Sequence, residues 1–278
     1  MELATFYDHV KDIARQERVS MTEALQRVRS LGITYVEVSQ NNALGQEDVL
    51  GHELSYVGLG ISSMPAYFDF GRDGDIEKQS GPTLEAARFL GVKKLLVIPG
   101  FWGEGDSPQE RERQRERMAG GVNRLAELAG GYGVSLVMEE YDSPLAPFSN
   151  TEGVRYFLDR CPGLGCCFDT GNFRVAAEDE LAAYEGFKNR IGHVHLKDRG
   201  YTPAWGTHTT AAADGQTLYP VPVGKGELRM EELLARLGRD GYEGVCTVEH
   251  YGVENMWTAL QASVEWLRAQ PAFAEPTP

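Results

Sequence analysis

Only four cysteines occur in 278 residues, and none form a CxxC pair, so neither a disulfide framework nor a sulfur-rich zinc knuckle is expected. Three of them, Cys166, Cys167 and Cys246, lie in or beside apolar runs, where a reduced thiol serves as a small apolar side chain. No stretch approaches the ~18 uninterrupted apolar residues of a membrane-spanning helix. The segment Met1 to His9 lacks a basic stretch followed by an apolar one, so no secretory signal is expected and the chain reads as cytoplasmic. Positive charge is also short: 27 Lys and Arg face 41 Asp and Glu, a formal net charge of −14. That balance repels polyanions and argues against nucleic acid or a membrane surface as partner, leaving a small molecule. No Gly-rich phosphate loop follows the first strands, and Gly224-Lys225-Gly226-Glu227 lacks Walker spacing. Nor does any linker or low-complexity tract divide the chain. A single domain over 1–270 is expected, followed by a Pro-rich tail over 271–278.

What the sequence does contain is alternation. Short apolar runs at 33–38, 56–62, 95–99, 134–139, 166–169, 191–195 and 245–249 read as strands, with a weaker eighth around Leu3 to Tyr7. Helical segments lie between them. Two begin with a hydroxyl cap followed three residues later by an acid, Ser20-Met21-Thr22-Glu23 and Ser107-Pro108-Gln109-Glu110. In the second, Pro108 takes the first helical position, where its missing N–H costs nothing. Strand-helix alternation over this length predicts an α/β fold, a (β/α)8 TIM barrel, in preference to an open doubly wound sheet. The stretch from Arg199 to about Gly226, with three prolines and three glycines between Pro203 and Gly224, is too long for a plain connection and reads as a substrate-covering loop.

Glu139, Asp169, His195 and Glu249 each end one of these runs, and no two share a segment. A barrel gathers the C-terminal ends of its strands into one ring, so four ligand-type side chains at strand ends predict one convergent metal site. One imidazole with three carboxylates is a hard, oxygen-rich set. It suits Mn²⁺ first, with Mg²⁺, Co²⁺ or Zn²⁺ as alternatives. Two choices stay open at this level. Glu139 and Glu140 are adjacent and face opposite ways, yet both faces of a barrel strand are apolar. His193 and His195 share a face, so either imidazole could bind the metal while the other packs deeper.

Several pieces resemble the sugar isomerase/epimerase superfamily with a xylose-isomerase-like barrel. They are Gly133-Val134-Ser135-Leu136-Val137-Met138-Glu139, Asp169-Thr170-Gly171-Asn172, His193-Val194-His195-Leu196-Lys197-Asp198 and Pro222-Val223-Gly224-Lys225-Gly226-Glu227-Leu228, the last running on to Glu249. The resemblance selects Glu139 and His195 as ligands beside Asp169 and Glu249. It implies that Glu139 and Glu249 also move protons beside a substrate carbonyl, through an ene-diolate. Lys197 is placed with them as a positive charge for the developing oxyanion. Asn172 departs from the pattern, since many relatives carry His there to touch substrate. It is kept as a substrate-binding candidate together with Trp102, Glu37 and His193.

The expected activity is a metal-dependent isomerase or epimerase of a sugar, keto-acid or related polyol, with a dehydratase or lyase on a keto-sugar or inosose as the alternative. A carbohydrate is the expected partner, and loop tryptophans such as Trp102 and Trp205 equally suit contacts in a homo-oligomer. An apurinic-site endonuclease on the same barrel would need more than the six histidines present, and a basic groove. A catalytically silent sugar-binding barrel would have little reason to keep all four ligands.

Overall fold

The computed structural model describes residues 1–273. In chain order its strands are β1 (Glu2–Phe6), β2 (Tyr35–Glu37), β3 (Gly60–Tyr67), β4 (Lys94–Ile98), β5 (Ser135–Met138), β6 (Leu164–Asp169), β7 (Ile191–Leu196), β8 (Asp198–Gly200), β9 (Thr210–Ala211), β10 (Thr217–Val221) and β11 (Val245–Val248). Eight of them close into a barrel in the order β1-β11-β7-β6-β5-β4-β3-β2, the (β/α)8 architecture that the alternation predicts.

Contacts divide the chain into two compact units, one of Met1–Val36, Glu53–Gly60 and Phe168–Pro278, the other of Glu37–His52 and Ile61–Cys167. In the first, β11 lies between β1 and β7, parallel to both. Thr5 is paired with Val248, and Thr247 with His195. Ala4, Val194, Leu196, Cys246 and Val248 of these strands are fully buried, and helices Tyr7–Glu17, Met21–Ser30 and Met256–Arg268 add Val10, Ile13, Leu25, Val28 and Leu260. In the second, β3, β4, β5 and the part of β6 up to Cys167 run parallel in sequence, with Leu95, Val97, Leu136 and Met138 in its core. Both expected helix starts form as read. Ser20 accepts the Glu23 N–H, and Ser107 accepts the Glu110 N–H with Pro108 at the helix start.

Two expectations change. The run at 56–62 begins too early, because Tyr56 and Val57 complete the helix Glu47–Val57, whose first turn carries Glu47 and Asp48. Gly58, at φ 75°, ends that helix in the left-handed conformation open to glycine, so the strand starts at Gly60. The stretch after Arg199 is not one irregular loop either: β10 pairs antiparallel with β8 and β9 in a small three-stranded sheet. Of the expected tail, Pro271–Phe273 forms one 3-10 turn, and the Met1 ammonium donates to the Ala272 carbonyl at 3.4 Å. The remainder lies outside the described residues. All four cysteines are buried free thiols. Among the described residues, no helix is long and apolar enough to cross a membrane.

Candidate metal centre

Asp169 is the last residue of β6, His195 is next to last in β7, and Glu249 directly follows β11. The fold unit that holds them brings one ligand atom of each within 4.8 Å of the others, and all three are buried. His195 Nδ1 stands 3.1 Å from Glu249 Oε2 and 4.0 Å from Asp169 Oδ2.

Each side chain is aimed by its own local structure. Asp169 Oδ1 accepts the N–H groups of Gly171 (2.7 Å) and Asn172 (2.9 Å), which leaves Oδ2 turned toward His195 and Lys197. Gly171 must lack a side chain, because a Cβ there would come within 2.8 Å of the Lys197 carbonyl oxygen. The Thr170 hydroxyl donates to Lys197 O at 2.7 Å and accepts Lys197 N–H at 2.9 Å, so the backbone of Lys197 is fixed from both sides. Glu249 N–H donates to Leu196 O at 3.0 Å, locking the end of β11 to β7. The imidazole of His195 sits edge-on between the rings of Phe6 (5.2 Å) and His193 (5.4 Å).

Lys197 closes the group. Its ammonium makes an ion pair with Glu249 Oε1, lies 3.4 Å from Asp169 Oδ2, and donates to Asn172 Oδ1 at 2.9 Å. Burial alone would raise the Glu249 carboxyl, but the Lys197 charge and His195 outweigh it and hold the group well below the usual carboxylate range. Asp169 goes the other way. Its complete burial pushes the carboxyl up, and Lys197 offsets this only in part. Two carboxylates and an imidazole converging out of water, with fixed orientations, fit a divalent cation as ligands.

The family profile of the xylose isomerase-like TIM barrel matches residues 25–270. The chain belongs to the xylose isomerase-like TIM barrel family. Within that family and fold, the inosose dehydratase of Mesomycoplasma hyopneumoniae strain J is 25% identical over 248 residues, 83% of this chain and 81% of that protein. Two inosose dehydratases of Lacticaseibacillus casei match over about half of their own length. The crystal structure of the IolI protein with a bound zinc atom superposes with TM-score 0.75 and 17% identity, over 96% of this chain and 97% of that one. A 3-keto-D-glucoside 4-epimerase from E. coli gives TM-score 0.71 and 18% identity, over 96% and 99% of the two chains. At these identities the two structures show a shared barrel.

The remaining candidates of this xylose isomerase-like barrel sit as follows. His193 is buried one pleat below His195, with Nε2 3.2 Å from the Thr247 hydroxyl. Asn172 is buried, and its Oδ1 receives Arg199 Nη2 at 3.5 Å in addition to Lys197. In the other unit, Glu139 directly follows β5 and is 9% exposed, and Glu140 is buried. Glu37 ends β2 and accepts from the Ser63 hydroxyl at 2.8 Å. Trp102 donates its indole N–H to Arg111 O at 3.1 Å, under the Arg111 guanidinium. Trp205 is half-buried, with its carbonyl accepting Glu254 N–H.

Sequence reasoning passed over four contributors. Phe6 stood in the weakest strand run, and Thr170 and Gly171 act through the backbone of a distant strand. Asp198 stood only as the end of the run His193 to Asp198, with no role of its own. Its carboxylate instead accepts the N–H groups of Arg199, Gly224, Gly226 and Leu228.

Proposed function

We propose that this chain is a divalent-metal-dependent enzyme of carbohydrate metabolism that removes and returns a proton beside the carbonyl of a sugar, keto-acid or related polyol, as an isomerase or epimerase. The observation that carries this reading is the buried meeting of Asp169, His195 and Glu249 around the Lys197 ammonium. Those three residues would hold the metal, with Glu139 as the fourth ligand and Mn²⁺ as the ion best matched to the donor set. When bound, the cation supplies Lewis acidity that makes a C–H beside a carbonyl acidic enough to lose.

The protein's own groups do the rest. Glu249 and Glu139 are the proton-carrying carboxylates. While Lys197 is paired with Glu249 that carboxylate stays ionised and weakly basic. A shift of the Lys197 ammonium toward the developing oxyanion would stabilise the ene-diolate and return basicity to Glu249 in the same movement. Asn172, His193, Glu37 and Trp102 are the proposed substrate contacts. Four buried thiols suit a reducing, cytoplasmic setting.

A second reading keeps the first proton removal but expels a neighbouring hydroxyl as water. The several similar proteins named inosose dehydratase favour it. One experiment separates the two. A panel of ketoses, keto-acids and inososes is incubated in deuterated water with Mn²⁺ or with chelator. Deuterium on carbon without loss of water marks isomerisation, and release of water marks the dehydratase. Glu249→Gln is expected to slow exchange by on the order of 100-fold or more. Wild-type exchange in that variant would refute the mechanism.

A further inference from the structure

Two side chains from the opposite end of the sequence grip the main chain on both sides of Glu249. The Thr5 hydroxyl donates to the Val248 carbonyl at 3.3 Å, and His9 Nε2 accepts the His250 N–H at 3.4 Å. Between them, Thr5 Oγ1 and His9 Nδ1 are 3.1 Å apart. All three contacts are buried.

The proton bookkeeping allows one arrangement. His9 Nε2 accepts a backbone N–H and so carries no proton, which puts the proton of the neutral imidazole on Nδ1. Nδ1–H then donates to Thr5 Oγ1, and the Thr5 hydroxyl proton is left for the Val248 carbonyl. The chain runs from His250 N–H through His9 and Thr5 to Val248 C=O without a mismatch. It ties down the peptide groups before and after Glu249, the residue whose carboxylate meets His195 and Lys197.

The geometry follows from the absence of any loop after the first strand. β1 ends at Phe6, and the helix Tyr7–Glu17 begins at the next residue, so Thr5 and His9 fall four positions apart on one side of the strand-helix junction. Register places Thr5 beside Val248. Complete burial of His9 favours its neutral form, and the rings of Phe6 (5.3 Å) and Tyr251 (5.1 Å) hold the imidazole edge-on. The far side of the same segment is held too, since His250 Nε2 meets the Ser263 hydroxyl at 2.8 Å and that hydroxyl accepts Val223 N–H.

We infer that Thr5 and His9 are positioning residues that fix the Glu249 backbone and thereby aim its carboxylate at the metal centre. This inference rests on the role proposed for Glu249, but the clamp itself can be read without any metal. Hydrogen exchange of the His250 amide, followed by NMR on the full chain, reports the grip directly. Mn²⁺ titration of the chelator-treated chain reports its consequence.

In His9→Phe, which keeps a planar ring but has no acceptor, the His250 amide is expected to lose protection selectively, while amides of the helix Met230–Arg239 keep theirs. Mn²⁺ affinity falls about tenfold, the scale seen when a group supporting a metal ligand is removed. His9→Gln, whose amide oxygen can replace Nε2 as acceptor, recovers most of both. Thr5→Val provides the same test with little change of shape if His9→Phe does not fold. Unchanged His250 protection in a folded variant overturns the inference, and so does Mn²⁺ affinity within about twofold of wild type. If the wild type itself binds no Mn²⁺, the metal reading fails. Selective loss of His250 protection would then still establish the clamp.

Discussion

Lys197 is the residue whose surroundings decide most. Its ammonium lies among Asp169, Glu249 and Asn172, and its side chain is almost wholly out of water. A cation removed from such a place leaves two buried carboxylates facing each other without compensation, which typically costs about 3–5 kcal/mol. Lys197→Met is therefore expected to be destabilised by that amount when metal is chelated. A divalent ion between the same carboxylates would restore the missing positive charge, so added Mn²⁺ should return much of the lost stability. Thermal melts of wild type and variant, each with chelator and with Mn²⁺, make the comparison. Equal destabilisation in both conditions would show that Lys197 and the metal do not share those carboxylates.

Among the elements, the segment after β10 shows where local sequence stops being informative. Its prolines and glycines read as a covering loop, yet the Asp198 carboxylate anchors it at several points. Asp198 Oδ2 accepts Gly224 N–H and Gly226 N–H, both at 3.0 Å, and Oδ1 accepts Arg199 N–H at 2.8 Å. Gly226 is confined by the same contact, since a Cβ there would stand 2.2 Å from Asp198 Oδ1. No pattern of hydrophobicity encodes an acid that replaces a strand partner. The strands were legible because apolar runs of four to six residues recur at barrel spacing, as in β5, β6 and β7. Tyr56-Val57 misleads for the same reason: a short apolar run fits the end of a helix as well as the start of a strand. Asp198→Asn turns one acceptor oxygen into a donor aimed at backbone N–H groups, and should cost about 1–3 kcal/mol. Limited proteolysis should then cut within 222–228 while the wild type resists. Equal resistance would mean that the segment is held by its other contacts.

For the molecule as a whole, the polar strand ends that meet were legible and what supports them was not. Asp169, His195 and Glu249 announce themselves as polar ends of apolar strands, whereas Thr5 and His9 act on peptide groups more than 240 residues away. That support has a cost visible in the pH dependence of folding. Burial, the dominant influence, pushes His9 down to about 4 and His250 down to about 3. An unfolded chain protonates histidine near 6.5, so below that pH the unfolded state binds protons that the folded state refuses. The contribution of each imidazole is complete above about 6.5 and is lost as pH falls toward its folded value. Asp198 opposes this, because burial raises its carboxyl to about 6 and the folded state takes up that proton first. Comparing wild type with His9→Gln cancels Asp198 and leaves His9. Wild type loses about 1.4 kcal/mol per pH unit through His9 as the solution is acidified, and a variant without the imidazole does not. The stability gap between the two, measured by urea unfolding from about pH 7 down to about pH 4.5, should therefore close by roughly 2–3 kcal/mol. A gap that stays constant would place the His9 pKa near its ordinary value. The imidazole could then not be fixed in the neutral form that accepts the His250 amide.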